Sequence, residues 1–576
     1  MGKSDLPQSM ARARPPGHPA LRAVLLGLIA LALTLGSLLH RGKAPDRGDA
    51  SKDALCTQAD PLFPSSILRD ELEGLYKSDP FVDQAAELLG GAVRIATESY
   101  DDNGPPDEDP RWSLFHDLHT YLEEKFPHVH SKFTLTKVNT LALVYTWVGT
   151  DPNLKPLLLT AHQDVVPVEP ETVAQWVQPP YSGLNDGEWI WGRGTCDDKL
   201  GVIAQMISME NLISRGFVPT RTLILAYGFD EETGGKAGSF AIAEYLLEKY
   251  GEYSMSMIVD EGGGFGEQSG AVTAFPALTE KGYLDVRVQV DTLGGHSSVP
   301  PPHTGIGILS ALLAELEKNP MEPTLTRTTP LYDVLQCMAE HAPDVPDALR
   351  KDILRSRTDN KALKKVGDEF LTTPLMRSLV GTTQAIDLIS GGVKVNALPE
   401  QAWAAINHRI ATDSSVGELQ RRLEVLATPI AQQFNMSLTA FGKEVEDRTT
   451  QRAGVITLSE AWHSALEPAP RTPSDADAGP YHLLSGTIRA TYRESASFHA
   501  SGKDIVVAPG LFPGNTDTKR YWKLSKHIFR YDHLGATDAY NGAHTINEAL
   551  RTKAFPDIIR YFTYLILNAD ESRSID

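Results

Sequence analysis

Leu157-Leu158-Leu159-Thr160-Ala161-His162-Gln163-Asp164 decides the fold. The apolar run is too short for an ordinary helix and carries no polar alternation. It therefore reads as a strand covered on both faces. A histidine and an aspartate stand where that strand ends. Two more runs take the same form. Thr222 to Tyr227 leads into Asp230-Glu231-Glu232-Thr233-Gly234-Gly235, and Met255 to Val259 leads into Asp260-Glu261-Gly262-Gly263. Between the first two runs, Gly201 to Ile213 is helical in pattern. Strands alternating with helices predict an α/β unit built on a mainly parallel sheet. In such a sheet, ligands bind beyond the carboxyl ends of the strands.

The residues at those ends have a shared chemistry. His162 and Asp164 are two apart and project to the same side of an extended chain. That spacing suits an imidazole ligand oriented by a carboxylate, although a plain polar loop would carry the same letters. In Gly192-Arg193-Gly194-Thr195-Cys196-Asp197-Asp198-Lys199, the paired aspartates either cap the following helix or supply a carboxylate that bridges two cations. Three successive acids at Asp230, Glu231 and Glu232 are costly unless solvated, metal-bound or protonated. Imidazole and carboxylate donors without thiolate suit zinc, with cobalt or manganese as substitutes. The clusters hold more acids than a metal pair needs, which leaves one to move protons.

A chain of 576 residues exceeds what one core usually organises, so more than one structural unit is expected. The net charge of −20 excludes a nucleic-acid partner, since no concentrated basic face offsets it. The three cysteines, Cys56, Cys196 and Cys337, form neither a disulfide framework nor a thiolate zinc motif. One disulfide is open to them, with its partners unspecified.

Ala23 to Leu39 is uncharged and apolar, with basic residues on both sides. It reads as a transmembrane signal anchor over 23–39 behind a short cytoplasmic tail, 1–22. A signal cleaved near Gly36-Ser37, releasing a secreted protein, is the alternative. The sequon Asn435-Met436-Ser437 is compatible with glycosylation in a lumen. Residues 40–85 form a stalk and lead-in, and 86–280 the first part of the catalytic domain. From Tyr283 to Val290 apolar and polar residues alternate, as on a half-exposed strand. Ala402 to Ile410 is a second such strand, and Ile306 to Leu316 a helix. Residues 281–447 are therefore expected to form an inserted α+β domain, with 319–380 a further helical, charged insertion within it. Residues 448–576 return to the first domain and end in a helical stretch, Asn547 to Leu567.

Taken in order, AHQDVVP, WVQPPYSG, GRGTCDDK, DEETGG, IVDEGG, EKG, GGHSSVPP, NALPE, PGNTD and GAHTINE resemble the M20 family of metallopeptidases from about residue 90 to 565. The resemblance implies a zinc-peptidase catalytic domain carrying a lid, or dimerisation, domain. It implies two Zn2+ ions bridged by Asp197, with His162 and Asp260 completing one site and Glu232 and His544 the other. Glu231 is the implied general base, and Asp164 the residue that holds His162. His296 is the implied oxyanion donor, while Asn396 and Arg409 grip the substrate. The Asp197–Asp198 peptide is expected to be cis. The long separation of His296 from Asn396 departs from a minimal lid and leaves open whether His296 acts within one subunit or across a homodimer.

The implied reaction is hydrolysis of the C-terminal amide bond of short or N-blocked peptides of Gly-Xaa type. Deacylation of N-acyl amino acids is the alternative enzyme activity. A membrane-tethered binding protein with a dead site would lack a ligand or the base, and none is missing. The implied setting is a vacuole- or lysosome-like lumen, with the chain held to the membrane by its N-terminal helix.

Overall fold

The structure, a computed structural model, describes residues 56–445 and 452–576. Its larger unit is built on a ten-stranded sheet. At the centre run Leu223–Gly228, Leu157–His162, Met257–Gln268 and Ile528–Gly535, each parallel to the next. Every residue of Leu157–His162 and Leu223–Gly228 is buried, as the unbroken apolar runs require. Helix Lys199–Ser214 carries chain between those two strands and is itself buried on nearly all sides, because helix Phe555–Glu571 packs over it.

The sheet is mixed rather than mainly parallel. On one flank Thr134–Val138 and Ala142–Trp147 pair antiparallel, and the second pairs antiparallel with Leu223–Gly228. The reason is local. Only Asn139 to Leu141 separate the first two strands, and Asn139 and Thr140 turn the chain at φ of 43° and 69°. A connection that short permits only an antiparallel pair. At the other end of the chain, the helix expected from Asn547 begins at Phe555, and Ala549–Arg551 is a strand. Pro556 lies in the helix's first turn, where its missing N–H costs nothing; farther inside it would break the helix.

The second unit is a six-stranded sheet in the order Ala385–Gly391, Gln401–Ile410, Gly282–Thr292, Gly454–Glu460, Met436–Ala440 and Lys443–Glu444. Burial alternates along Gly282–Thr292, with one face packed against helices Gly305–Lys318 and Val416–Gln433. Its strand Gly454–Glu460 lies beyond the expected return to the first domain at 448.

The 319–380 segment folds into the helices Pro330–His341, Asp347–Arg355, Asn360–Phe370 and Pro374–Val380. They share a core with Ala271, Phe275 and Ala508 of the larger unit. A disulfide joins Cys56 to Cys337 across 281 residues, and Cys196 is free and buried. The Lys281 amino group donates to the carbonyls of Ser378 and Gly381, at 2.7 and 2.6 Å. The insertion is thus fastened to the larger unit by a covalent bond and a shared core, and to the junction of the two units by the Lys281 hydrogen bonds.

Among the described residues no helix is long and apolar enough to cross a membrane. A span needs about 20 predominantly apolar residues. The 18-residue Val416–Gln433 includes Glu418, Arg421, Arg422 and Glu424. This overturns the expected placement as a single-pass membrane protein with a lumenal catalytic domain. The Ala23–Leu39 stretch behind that expectation lies outside the described residues.

Candidate metal centre and active site

Parallel pairing aligns the ends of the central strands, and the site lies there. His162 closes its strand opposite Gly228. Its Nδ1 meets the Asp164 carbonyl at 3.0 Å and the Asp164 carboxylate at 3.3 Å. A neutral imidazole held this way keeps its proton on Nδ1 and turns the Nε2 lone pair outward. Nε2 faces Asp197 Oδ1 at 3.0 Å and Glu261 Oε1 at 3.5 Å. The other Asp197 oxygen, Oδ2, lies 3.1 Å from His544 Nε2, which in turn lies 3.0 Å from Glu232 Oε2. Asp197 therefore has one imidazole at each carboxylate oxygen.

Local structure fixes each of these groups. The Asp197–Asp198 peptide is cis. Asp198 caps helix Lys199–Ser214 by accepting from the Gly201 amide at 3.0 Å. Of the two functions weighed for the paired aspartates, the helix cap falls to Asp198, which leaves the Asp197 carboxylate facing the two imidazoles. Glu548 accepts from the amides of Gly194 and Cys196, both at 2.9 Å, and fixes the loop that carries Asp197. Buried Asp164 accepts from the amides of Glu231 and Glu232, both at 3.1 Å, and from the Ser99 hydroxyl at 2.7 Å. It ties the His162 strand to the turn that presents the two glutamates.

Asp260, the expected ligand, is followed on its strand by a second acid, Glu261. Side chains alternate along a strand, so Asp260 and Glu261 point opposite ways. Glu261 faces His162, whereas Asp260 is buried with its Oδ2 lacking a hydrogen bond among the described residues. His296 and Asn396 lie on neighbouring strands of a two-stranded ribbon or at its edge, where the Ser297 amide donates to the Asn396 carbonyl at 3.3 Å. Both are exposed, and no hydrogen bond or ion pair joins either to the acid cluster among the described residues. Arg409 is half-buried; its Nη1 donates to Asn515 Oδ1 at 2.9 Å and its guanidinium lies over the Tyr283 ring.

Sequence reasoning passed over Glu261, Glu548 and also Lys519, whose Nζ lies 3.9 Å from Glu231 Oε1. Strand alternation could have raised Glu261 as an equal choice with Asp260. Glu548 and Lys519 follow directly on residues already singled out, in GAHTINE and just beyond PGNTD, yet nothing in their spacing announces a role.

Burial raises Glu231 and Glu261 well above the usual carboxylate range. Although burial pushes Asp197 upward as well, His162 and His544 hold it below that range. Burial opposes charge on His544, but Asp197 and Glu232 raise it to about 11. So much desolvated negative charge around two imidazoles is what bound cations offset. The ligand atoms of His162, Asp197 and Glu232 lie within 4.8 Å of one another, as do those of His162, Asp198 and Glu261. The residues fit a centre of hard or borderline cations held by nitrogen and oxygen.

The profile of Peptidase family M20/M25/M40 matches residues 158–568, with every one of these groups inside it. The chain belongs to the M20 family. It is 38% identical to carboxypeptidase S of Saccharomyces cerevisiae over 570 residues, covering 96% of each chain. It is 32% identical to the mouse N-fatty-acyl-amino acid synthase/hydrolase PM20D1, covering 84% of this chain and 87% of that one. Human carnosine dipeptidase 1 shares the fold, with a TM-score of 0.59 at 14% identity over 88% of this chain and all of the other. An M20 metallo-carboxypeptidase from Sulfolobus solfataricus matches with a TM-score of 0.54 at 17% identity, covering 85% and 99%. This M20 chain is a metallo-carboxypeptidase, and M20 enzymes depend on metal.

Proposed function

We propose that this M20 enzyme removes the C-terminal residue from short or N-blocked peptides of Gly-Xaa type, using two Zn2+ ions. The observation that carries the reading is Asp197, with one imidazole at each of its carboxylate oxygens. His162 and Glu261 would complete one metal site, and Glu232 and His544 the other. When bound, such a pair polarises the scissile carbonyl and makes water nucleophilic near neutral pH.

The chain's own groups do the rest. Glu231 is largely buried, its side chain 11% exposed, and burial makes its carboxylate a better base than an exposed glutamate. Its carboxylate takes a proton from the attacking water as the C–O bond forms. It then gives that proton to the leaving nitrogen as the C–N bond breaks. Asp164 keeps His162 in one tautomer and holds Glu231 and Glu232 in register through their amides. Arg409, its guanidinium fixed by Asn515 and Tyr283, offers a planar fork to a substrate carboxylate. His296 and Asn396 would reach the substrate from the second unit. The exposed Ala385–Gly391 strand and the exposed Leu293, Val299 and Val395 near them support a homodimer through that unit.

The likeness to the mouse N-fatty-acyl-amino acid enzyme favours a second reading, hydrolysis of N-acyl amino acids. Both substrates place a carboxylate beside the cleaved amide, so the metal site serves either. Turnover of N-benzyloxycarbonyl-Gly-Leu compared with N-oleoyl-leucine separates them. Preference for the blocked dipeptide supports the peptidase reading; preference for the acyl amino acid replaces it.

A further inference from the structure

A carboxypeptidase must recognise the free carboxylate of the one residue it releases. Covalent geometry limits where that recognition occurs. The α-carboxylate carbon is separated from the scissile carbonyl carbon by one nitrogen and one Cα, and so lies within about 4 Å of it. The general base must reach the water attacking that same carbon, within about 3 Å. A cation that binds the α-carboxylate therefore stands a few ångströms from the base.

Lys519 meets this condition. Its Nζ lies 3.9 Å from Glu231 Oε1, and its side chain is 6% exposed. Among the described residues the ammonium makes no hydrogen bond, although it carries three donors. Burial works against its charge, yet Glu231, Asp517 and Glu280 outweigh that and raise its pKa, so it is a cation at neutral pH.

The loop that presents Lys519 is fixed on several sides. The Thr516 amide donates to Glu280 Oε1 at 2.7 Å, and the Thr518 hydroxyl to Glu280 Oε2 at 3.2 Å. Arg530 pairs with the same Glu280 at 3.1 Å. Asp517 packs against Gly228 and Gly235, where an added Cβ would come within 2.2 and 2.5 Å of its oxygens. Asn515, four residues before Lys519, receives the Arg409 hydrogen bond and donates to the Lys281 carbonyl at 2.7 Å. One rigid loop thus carries a buried ammonium beside the base and braces the guanidinium of the second unit.

We infer that Lys519 is a specificity-determining residue whose ammonium binds the α-carboxylate of the departing residue, with Arg409 as its companion. The inference rests on the carboxypeptidase reading. It makes the enzyme an exopeptidase by geometry, because a chain continuing past the next residue would place an uncharged amide against a desolvated cation.

The test uses the full metal-loaded enzyme with N-benzyloxycarbonyl-Gly-Leu and its C-terminal amide. Unaltered enzyme is expected to favour the acid strongly. Lys519→Met should lower kcat/KM for the acid on the order of 10- to 100-fold, mainly through KM, and erase most of the preference over the amide. Lys519→Arg should keep the preference. Lys519→Gln supplies the same comparison if the Met variant does not fold. A Lys519→Met or Lys519→Gln enzyme that still prefers the acid as strongly overturns the inference. So does an equal loss on acid and amide, which would place Lys519 in support of Glu231 alone. Unaltered enzyme that cleaves the amide as well as the acid overturns the carboxypeptidase reading and the inference with it.

Discussion

Glu261 Oε1 stands 3.5 Å from His162 Nε2, whereas the adjacent Asp260 is buried, and no ion pair joins it to that imidazole among the described residues. The two acids follow each other on one strand, and a shift of a single residue exchanges which of them meets the metal centre. Glu261→Ala is expected to lower bound zinc from two ions towards one per chain and to reduce activity at least about 100-fold. Asp260→Asn, which leaves Glu261 in place, should retain both ions. Metal analysis of the two purified variants separates the assignments. Full zinc in Glu261→Ala together with loss in Asp260→Asn would restore Asp260 as the ligand.

That pair also marks how far the sequence carried. The acidic strand ends were legible because each polar cluster interrupts a run that can only be a buried strand. Sheet topology brings the ends of the central strands together, so an acidic site with His162 was expected there, while the choice of Asp197 and Glu232 among the neighbouring acids came from the family resemblance. Which face each acid takes was not legible at Asp260-Glu261, since two neighbouring carboxylates are interchangeable in pattern. Partners remote in sequence carried no signal of their own, and only the family resemblance offered His544. His544 meets Glu232 across 312 residues, and Cys56 meets Cys337 across 281, with no periodicity to pair them. The antiparallel flank was missed because the Asn139–Thr140 turn carries no glycine to announce it.

Glu231→Gln tests the proton-transfer role apart from metal binding. The amide is nearly isosteric and keeps the backbone N–H that Asp164 accepts, so the turn should hold. Bound metal is expected to stay unchanged while kcat falls at least about 100-fold, the usual scale for general acid–base catalysis. Near-normal turnover at full metal content would remove Glu231 from its place in the reaction.

Chelation gives an independent check on the centre. Full equilibration with a strong chelator should abolish activity, and added Zn2+ should restore it. Since His162, Asp197, Glu232, Glu261 and His544 join strands and loops from both ends of the chain, the stripped protein should also melt at a lower temperature. A melting curve indifferent to metal would mean that these groups hold no cation.

The Cys56–Cys337 bond closes a loop of 281 residues and fastens the helical insertion to the larger unit. Cross-links over long loops stabilise mainly by restricting the unfolded chain, typically by about 2–4 kcal/mol. Cys337→Ser, or reduction of the native protein, should lower the melting temperature measurably. Because Cys56 lies far along the chain from every proposed ligand, bound metal should not change. Loss of metal together with stability would show that the insertion also shapes the active site.

His408 gives the second unit a pH dependence of its own. It is buried, its Nδ1 lies 3.3 Å from the Leu284 carbonyl, and burial lowers its pKa to about 4. The unfolded chain binds that proton with a pKa near 6.5. Between roughly pH 6.5 and 4 the unfolded state therefore holds more protons than the folded one, and stability falls as the pH is lowered through that window. One pH unit below 6.5 the loss from this residue is about 1 kcal/mol. His408→Gln cannot take up the proton, so its melting temperature should fall less than that of the unaltered protein between pH 7.5 and 5.5. Parallel curves for the two would mean that His408 titrates alike in both states and that its burial costs the charged form nothing.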